Sequence, residues 1–440
     1  MAISPFDSVM FRELYGDAEA AALFTDTAQL RAMLLFEGAL AEVQGRLGII
    51  PQDSAFFIAR AAREVQIDPA GLAAGTAKDG VTAPALVAAF RKAMEAPEHA
   101  KWIHWGATSQ DVIDTALVLR LRRFLEIMEG RLEALEATLA QQAARHAGTV
   151  LAARTRAQMA TPTTLGAKIA VWAAPLARHR ERLAQMRPRL LTVSLAGASG
   201  TNAALAGRGT EVMEGVAAEL RLAASPIPWH AARDTIAELA GWLAMVTGSL
   251  GKMGTDIIAL TQSEIREISA GTGGASSTMP HKSNPVEPEA LVTLARRAGG
   301  DLSTIQNAML HAQERDGAAW ALEWMALPAL CMGCAAALRH ARALAETIEA
   351  NPDRMRADID ATSGMMMAEA AVFALSAHMP RPEAQALVKR ACAEALAHGT
   401  TLGATLPGLT DAPLDWDTVL DPASYTGDAP LYPGRLTTGD

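Results

Sequence analysis

The run from Thr235 to Glu264, TIAELAGWLAMVTGSLGKMGTDIIALTQSE, decides the fold class. Ile236, Leu239, Leu243, Val246, Leu250, Met253, Ile257 and Leu260 recur in alternating steps of three and four, so an apolar stripe follows one helix for about four heptads without a proline. Gly241, Gly248, Gly251 and Gly254 would each cost an isolated helix about 1 kcal/mol relative to alanine. They make sense where neighbouring helices come close along its length. A helix this long exceeds the needs of a small monomeric domain and points to a bundle shared among subunits.

Outward from it, the chain keeps the same period. Asp26 to Leu47 reads as a helix with Leu30, Met33, Leu34, Leu40, Val43 and Leu47 on one side and Arg31, Glu37, Glu42 and Arg46 interspersed. Ser54 to Val65 and Ala83 to Met94 are further amphipathic stretches, with Pro69, Gly71, Gly75 and Gly80 marking loops between them. Leu117, Leu121, Phe124, Met128, Leu132, Leu135 and Leu139 predict a long helix reaching about Ala147, and Ile169, Trp172, Leu176 and Leu183 predict another. Val286 to Leu310, Trp324 to Ile348 and Arg381 to Ala397 are also helical, and a Pro/Gly-rich tail ending LYPGRLTTGD is expected to be extended or to dock as a lid. The expected fold is all-α in three helical domains: 1–105, a central long-helix bundle 106–350, and 351–440 with the tail.

Four polar clusters interrupt the helices. GTGGASSTMPHKSNPVEP, Gly271 to Pro288, combines glycines, Ser276 and Ser277, His281, Lys282 and Asn284, with Pro280 and Pro285 forbidding a continuous helix. It reads as a mobile loop between two long helices, with Asn284 as N-cap, Pro285 at the first helical position, and Glu287 and Glu289 in the first turn. On composition alone it is equally a linker. In IHWGATSQD, His104, Thr108, Ser109 and Asp111 precede the long helix. Thr108 and Ser109 read as capping residues, and the same helix start suits a carboxylate ligand. Thr155, Arg156 and Gln158 form a polar turn in RTRAQMATPTTLG. In HAQERDG, Arg315 could clamp a carboxylate or pair with Glu314.

Composition narrows the partners. Of 440 residues, 50% are hydrophobic, and 39 basic against 48 acidic residues leave a net charge of −9 without a basic tract, which argues against nucleic acid or an anionic membrane. The apolar content favours an oligomer. Cys331, Cys334 and Cys392 provide no disulfide framework, and the CxxC spacing of the first two lies in an Ala-rich helical run with no second ligand pair. No apolar signal region opens the sequence and no uncharged apolar run of about 18 residues follows, so a cytoplasmic protein is expected.

SSTMPHKSNP, over ten consecutive positions, resembles the signature loop of the fumarase/aspartase superfamily, whose members add or eliminate a group beta to a carboxylate. The resemblance implies that Ser277 is the general base and that Lys282 and Asn284 hold substrate carboxylate. HWGATSQDVIDTAL resembles the first conserved region, in which Thr108 and Ser109 would bind substrate. RTRAQ resembles the second, in which Thr155 and Gln158 would do so. There Arg156 stands where a proton-relaying histidine is common, so that role does not carry over. His104 and His281 are further candidates for proton transfer or orientation. LYGDAEAAALFTDTAQLRAML, SLAGASGTNAAL, PWHAARDTIAELAGW, RMRADIDATSGMMMAEA and LDPASYTG extend the likeness over nearly the whole chain and narrow it to the 3-carboxy-cis,cis-muconate cycloisomerase group. That group implies closure of a lactone by addition of a carboxylate across a double bond, through an aci-carboxylate dianion, in aromatic catabolism. The resemblance also implies that neither metal nor organic cofactor is required and that each site would draw on three subunits of a homotetramer. The alternatives are a fumarate-releasing lyase of adenylosuccinate or argininosuccinate type, and a structural homologue without activity.

Overall fold

The computed structural model of the chain describes residues 4–275, 278–280 and 282–436. Among them twelve helices have eight or more residues: α1 Asp26–Arg46, α2 Gln52–Glu64, α3 Ala83–Ala93, α4 Ser109–Arg145, α5 Leu165–Leu190, α6 Gly209–Leu220, α7 Asp234–Leu260, α8 Val286–Ala308, α9 Gly317–Thr347, α10 Pro352–Asp360, α11 Ala368–Leu375 and α12 Arg381–His398. The strands are short: β1 Val150–Thr155 with β2 Gln158–Thr164, β3 Ile268–Ser269 with β6 Glu349–Ala350, and β4 Gly274–Ala275 with β5 Ser283–Asn284, all antiparallel. The fold is all-α as the periodicities require.

Two compact units divide the chain. Unit 1 comprises Met1–Leu132, Arg178–Gly248 and Thr293–Arg339, and unit 2 comprises Glu133–Ala177, Ser249–Val292 and His340–Asp440. Each of the five long helices, α4, α5, α7, α8 and α9, contributes to both. In unit 1 the core joins Leu30, Met33 and Phe36 of α1 to Ile58 of α2, Phe90 of α3, Val112 of α4 and Val216 of α6. In unit 2 a satellite core gathers Leu375, Val388, Ala391, Leu402 and Leu406.

The α7 stripe is buried at all eight positions, none more than 3% exposed. Of its glycines, Gly254 answers to a close approach, since a Cβ there would lie 2.7 Å from the Pro288 carbonyl oxygen and 2.9 Å from Leu291 Cβ. Gly241 and Gly248 have nothing within 4 Å of a Cβ position. With Met245, Lys252 and Thr255 they lie on the outward side of the helix, three and four residues apart.

Several boundaries differ from expectation, each for a local reason. Pro69–Leu72 forms a 3-10 turn and Ala73–Asp79 a short helix, capped by Asp68 accepting from Ala70 N and closed by left-handed Gly80, so Gly71 and Gly75 are not loop residues. α8 begins at Val286, which moves Pro285 to the cap position and Asn284 into β5, while Glu287 and Glu289 do occupy the first turn. α9 begins at Gly317, where the Asp316 carboxylate accepts from Ala318 N and Ala319 N. The tail is not extended: short helical turns from Leu402 to Val419 pack on α11 and α12, those from Pro422 to Leu431 lie against β2, and the Tyr425 hydroxyl donates to Glu369 Oε1 at 2.9 Å. α9 is long and apolar enough to cross a membrane, but 67% of its most apolar window is buried, as in a core helix. It carries Cys331 and Cys334, whose thiols burial pushes up, Cys334 to about 12, far from a reactive thiolate.

Candidate active site

In unit 1 the residues quoted from the HWGATSQD stretch are fixed by groups far away in sequence. Asp111, fully buried in the first turn of α4, accepts from Thr108 N (2.9 Å), Ala196 N (2.9 Å), Gly197 N (3.0 Å) and His230 Nε2 (2.7 Å). One carboxylate thus pins the start of α4 to the 196–197 turn and the His230 segment. The Thr108 and Ser109 hydroxyls, half-buried, have no hydrogen-bond partner among the described residues, so the capping role belongs to Asp111 and the hydroxyls remain available at a helix N-terminus.

Arg315 does not pair with Glu314. Its Nε donates to Gln110 Oε1 at 2.9 Å and its Nη2 to the Ala198 carbonyl at 3.3 Å, which sets it beside the start of α4. Gln110 in turn donates to Asp114 Oδ2 (3.2 Å) and the His230 carbonyl (2.8 Å). Behind them Arg233, 2% exposed, donates from Nη1 to Asp114 Oδ2 at 2.7 Å and from Nε to Glu323 Oε1 at 2.8 Å. Burial opposes the charge on Arg233, and the two carboxylates more than restore it.

His104 is held from α1. Its Nδ1 lies 2.7 Å from Glu37 Oε1, and Glu37 is 1% exposed. Glu37 is therefore not one of the polar-face residues its neighbours suggested. Burial pulls the imidazole down, but the charge and hydrogen bond of Glu37 and the charge of Asp111 outweigh it, so His104 titrates above its ordinary value. The charged pair stabilises the fold fully below the unfolded histidine's pKa, near 6.5, and that contribution is lost as pH rises through the raised folded value. Gln44, seven residues after Glu37, is also buried and donates to the Trp105 carbonyl at 2.7 Å.

In unit 2, Thr155, Arg156 and Gln158 occupy the exposed tip of the β1–β2 hairpin, which turns through Arg156 and Ala157 at φ 50° and 64°. A two-residue turn of this kind favours Asn-Gly, and each non-glycine residue held there costs on the order of 1 kcal/mol. Ala157→Gly should stabilise the protein by about 1 kcal/mol, read as a higher urea midpoint; an unchanged or lower midpoint would mean that the turn is unstrained. Arg154 anchors the hairpin by a two-bond pair to fully buried Glu267, at 2.7 and 3.0 Å. The signature loop closes through β4 and β5. Gly271, at φ 75°, holds a conformation that a side chain would strain, and a Cβ there would displace the Glu287 carboxylate, 2.1 Å away at Oε2. Asn284 borders a cleft of about 660 Å³ that Arg266 and Thr272 also line, and Lys282 is exposed. Ser277 and His281 lie outside the described residues.

The family model described as Lyase matches residues 17–300. Over 436 residues, 97% of this chain and 95% of the relative, the chain is 43% identical to the 3-carboxy-cis,cis-muconate cycloisomerase of Pseudomonas aeruginosa. The chain belongs to the fumarase/aspartase superfamily of lyases. Two solved structures of the superfamily match it almost end to end. One is 3-carboxy-cis,cis-muconate lactonizing enzyme from Pseudomonas putida (39% identity, TM-score 0.92, 98% of both chains). The other is a fumarate lyase from Mesorhizobium sp. BNC1 (35%, TM-score 0.91, 97% of this chain and 99% of that one).

Within this lyase, Thr108, Ser109 and Arg315 are gathered at the start of α4, with His104 four residues earlier. Thr155, Arg156 and Gln158 sit on one hairpin of unit 2, and Lys282 and Asn284 on another. Sequence reasoning missed Glu37, Gln44, Gln110, Asp114, His230, Arg233 and Glu323. Glu37 carried a signal, since it falls on the i, i+3, i+7 row of Leu30, Met33 and Leu40 where an apolar residue is expected.

Proposed function

We propose that this lyase is a 3-carboxy-cis,cis-muconate cycloisomerase acting in the cytoplasm, in the protocatechuate branch of aromatic catabolism. One carboxylate of the triacid adds across the conjugated double bond and closes a lactone, while a proton goes to the carbon alpha to another carboxylate. The observation that carries this reading is the 43% identity, over 97% of this chain and 95% of the relative, to a protein of that name. The unit 1 geometry supports it: Arg315, bonded to Gln110, and two free hydroxyls lie at the start of α4, whose N-terminus favours an anionic substrate.

The aci-carboxylate dianion sets the roles. Lys282, Asn284, Thr108 and Ser109, with Thr155, Arg156, Gln158 and Arg315, are the donors proposed to hold the carboxylates, and Ser277 moves the alpha proton. Serine is a weak base at its ordinary pKa, so the role calls for loop NH groups, Lys282 and exclusion of water. His281 is a further candidate for proton transfer from the same loop. The proposed donors divide between units 1 and 2, and the site is proposed to be completed by regions of three subunits in a homotetramer. The outward α7 row of Gly241, Met245 and Gly248 supports close helix packing between subunits. Light scattering on dilution, with activity in parallel, should show turnover vanishing as the tetramer dissociates; a fully active monomer would contradict shared sites.

A second reading, a lyase that releases fumarate, is favoured by the likeness to the Mesorhizobium protein. Ultraviolet assays separate the two. The first reading predicts rapid loss of the muconate diene absorbance and no fumarate from succinyl-type substrates; the reverse pattern would overturn it.

A further inference from the structure

The turn at His104 is built around a buried charge that the proposed chemistry does not use. Glu37 sits in the middle of α1 with its Oε2 lacking a hydrogen-bond partner among the described residues, so the one compensation for its buried carboxylate is the His104 ring. His104 is held at φ 64°, a conformation that costs a non-glycine residue about 1–3 kcal/mol and persists only where the surroundings impose it. Gln44, one heptad further along α1, holds the next carbonyl, so α1 fixes both sides of this turn. With Nδ1 committed to Glu37, the opposite nitrogen, Nε2, has no partner among the described residues, and the side chain is 20% exposed. Four and five residues on lie the free hydroxyls of Thr108 and Ser109.

We propose that Glu37 holds His104 as an imidazolium whose Nε2–H binds one carboxylate of a tricarboxylate substrate, so that His104 sets specificity for a triacid over a diacid and Glu37 is its positioning residue. The assignment rests on the proposed function above, which places Thr108 and Ser109 at the substrate. Chemically it is a charge-assisted hydrogen bond with no covalent step. The charged groups facing the ring are Glu37 from α1, Asp111 from α4 and Arg91 from α3; the two acids favour the imidazolium and the arginine opposes it. Removing the Glu37 charge shifts that balance, and the ring then loses its proton at lower pH.

Binding of propane-1,2,3-tricarboxylate and of succinate, measured by calorimetry from pH 6 to pH 9, tests the assignment on wild type, Glu37→Gln and His104→Asn. Glutamine keeps the shape of Glu37 and one hydrogen bond, so the variant should fold, which circular dichroism and a thermal melt check. Wild type is expected to prefer the triacid at neutral pH, and His104→Asn to lose that preference by about 10- to 100-fold at every pH. In Glu37→Gln the preference should persist at pH 6 and disappear by pH 8, with succinate binding unchanged. In turnover the loss should appear in KM and not in kcat. If wild type binds both ligands but the preference and its pH profile are the same in Glu37→Gln, the dyad assignment fails while the site reading stands. A loss confined to kcat would also overturn it. If wild type binds neither ligand, both fall together.

Discussion

Ser277→Ala should lower kcat by about 10²- to 10⁴-fold while leaving the melting temperature and the binding of tricarboxylates nearly unchanged. The size follows from the task. Moving a proton at a carbon alpha to a carboxylate needs a group within hydrogen-bond reach of that carbon, and alanine removes it without replacing it. The dianion would still meet Lys282, Asn284 and the α4 N-terminus, so a residue of catalysis should survive. An effect confined to KM would assign Ser277 to binding. Near-normal turnover would take it out of the proton-transfer role altogether.

Arg233→Met is expected to have the largest effect on stability. Arg233 is almost wholly enclosed and bridges Asp114 and Glu323, with Trp320 Nε1 and Gln110 Nε2 also donating to Asp114 at 3.2 Å. Removing the guanidinium leaves two carboxylates facing each other in a buried space, a loss of about 3–5 kcal/mol for breaking such a network on one side. Chemical denaturation should show the midpoint falling without a change in slope. Replacing all three residues by apolar ones of similar volume should recover much of that loss, because buried ion pairs contribute less than their rupture costs. The same variant should weaken substrate use, since Gln110 links Asp114 to Arg315. A loss of unfolding free energy under about 1 kcal/mol would show that water reaches the site and screens the charges.

The long helices are legible in the sequence because burial imposes a period on them, and the α7 stripe, enclosed at every position, is its clearest case. The polar turn at Thr155 to Gln158 is legible, but the β1 and β2 strands on either side of it are not, for a physical reason. The turn is Arg156-Ala157 rather than Asn-Gly, so the chain carries no hairpin signal there, and the conformation is held instead by the strand ladder and the Arg154–Glu267 pair. The site divides in the same way. Thr108, Ser109, Arg315, Lys282 and Asn284 stand out because they cluster in helix-breaking segments. Asp114 and Glu323 stand inside long helices and Arg233 just before the start of α7, and they meet only through contacts spanning 90 and 119 residues. Glu37 lies between these cases: its place on an apolar row was visible, whereas its histidine partner, 67 residues away, was not.

The most direct test of the cycloisomerase reading is to mix the protein with 3-carboxy-cis,cis-muconate in deuterium oxide and follow diene absorbance together with proton nuclear magnetic resonance. Loss of the diene, with appearance of a lactone carrying one deuterium on the carbon alpha to a carboxylate, is the predicted result. An untouched diene, or a lactone free of deuterium at that carbon, would contradict the account.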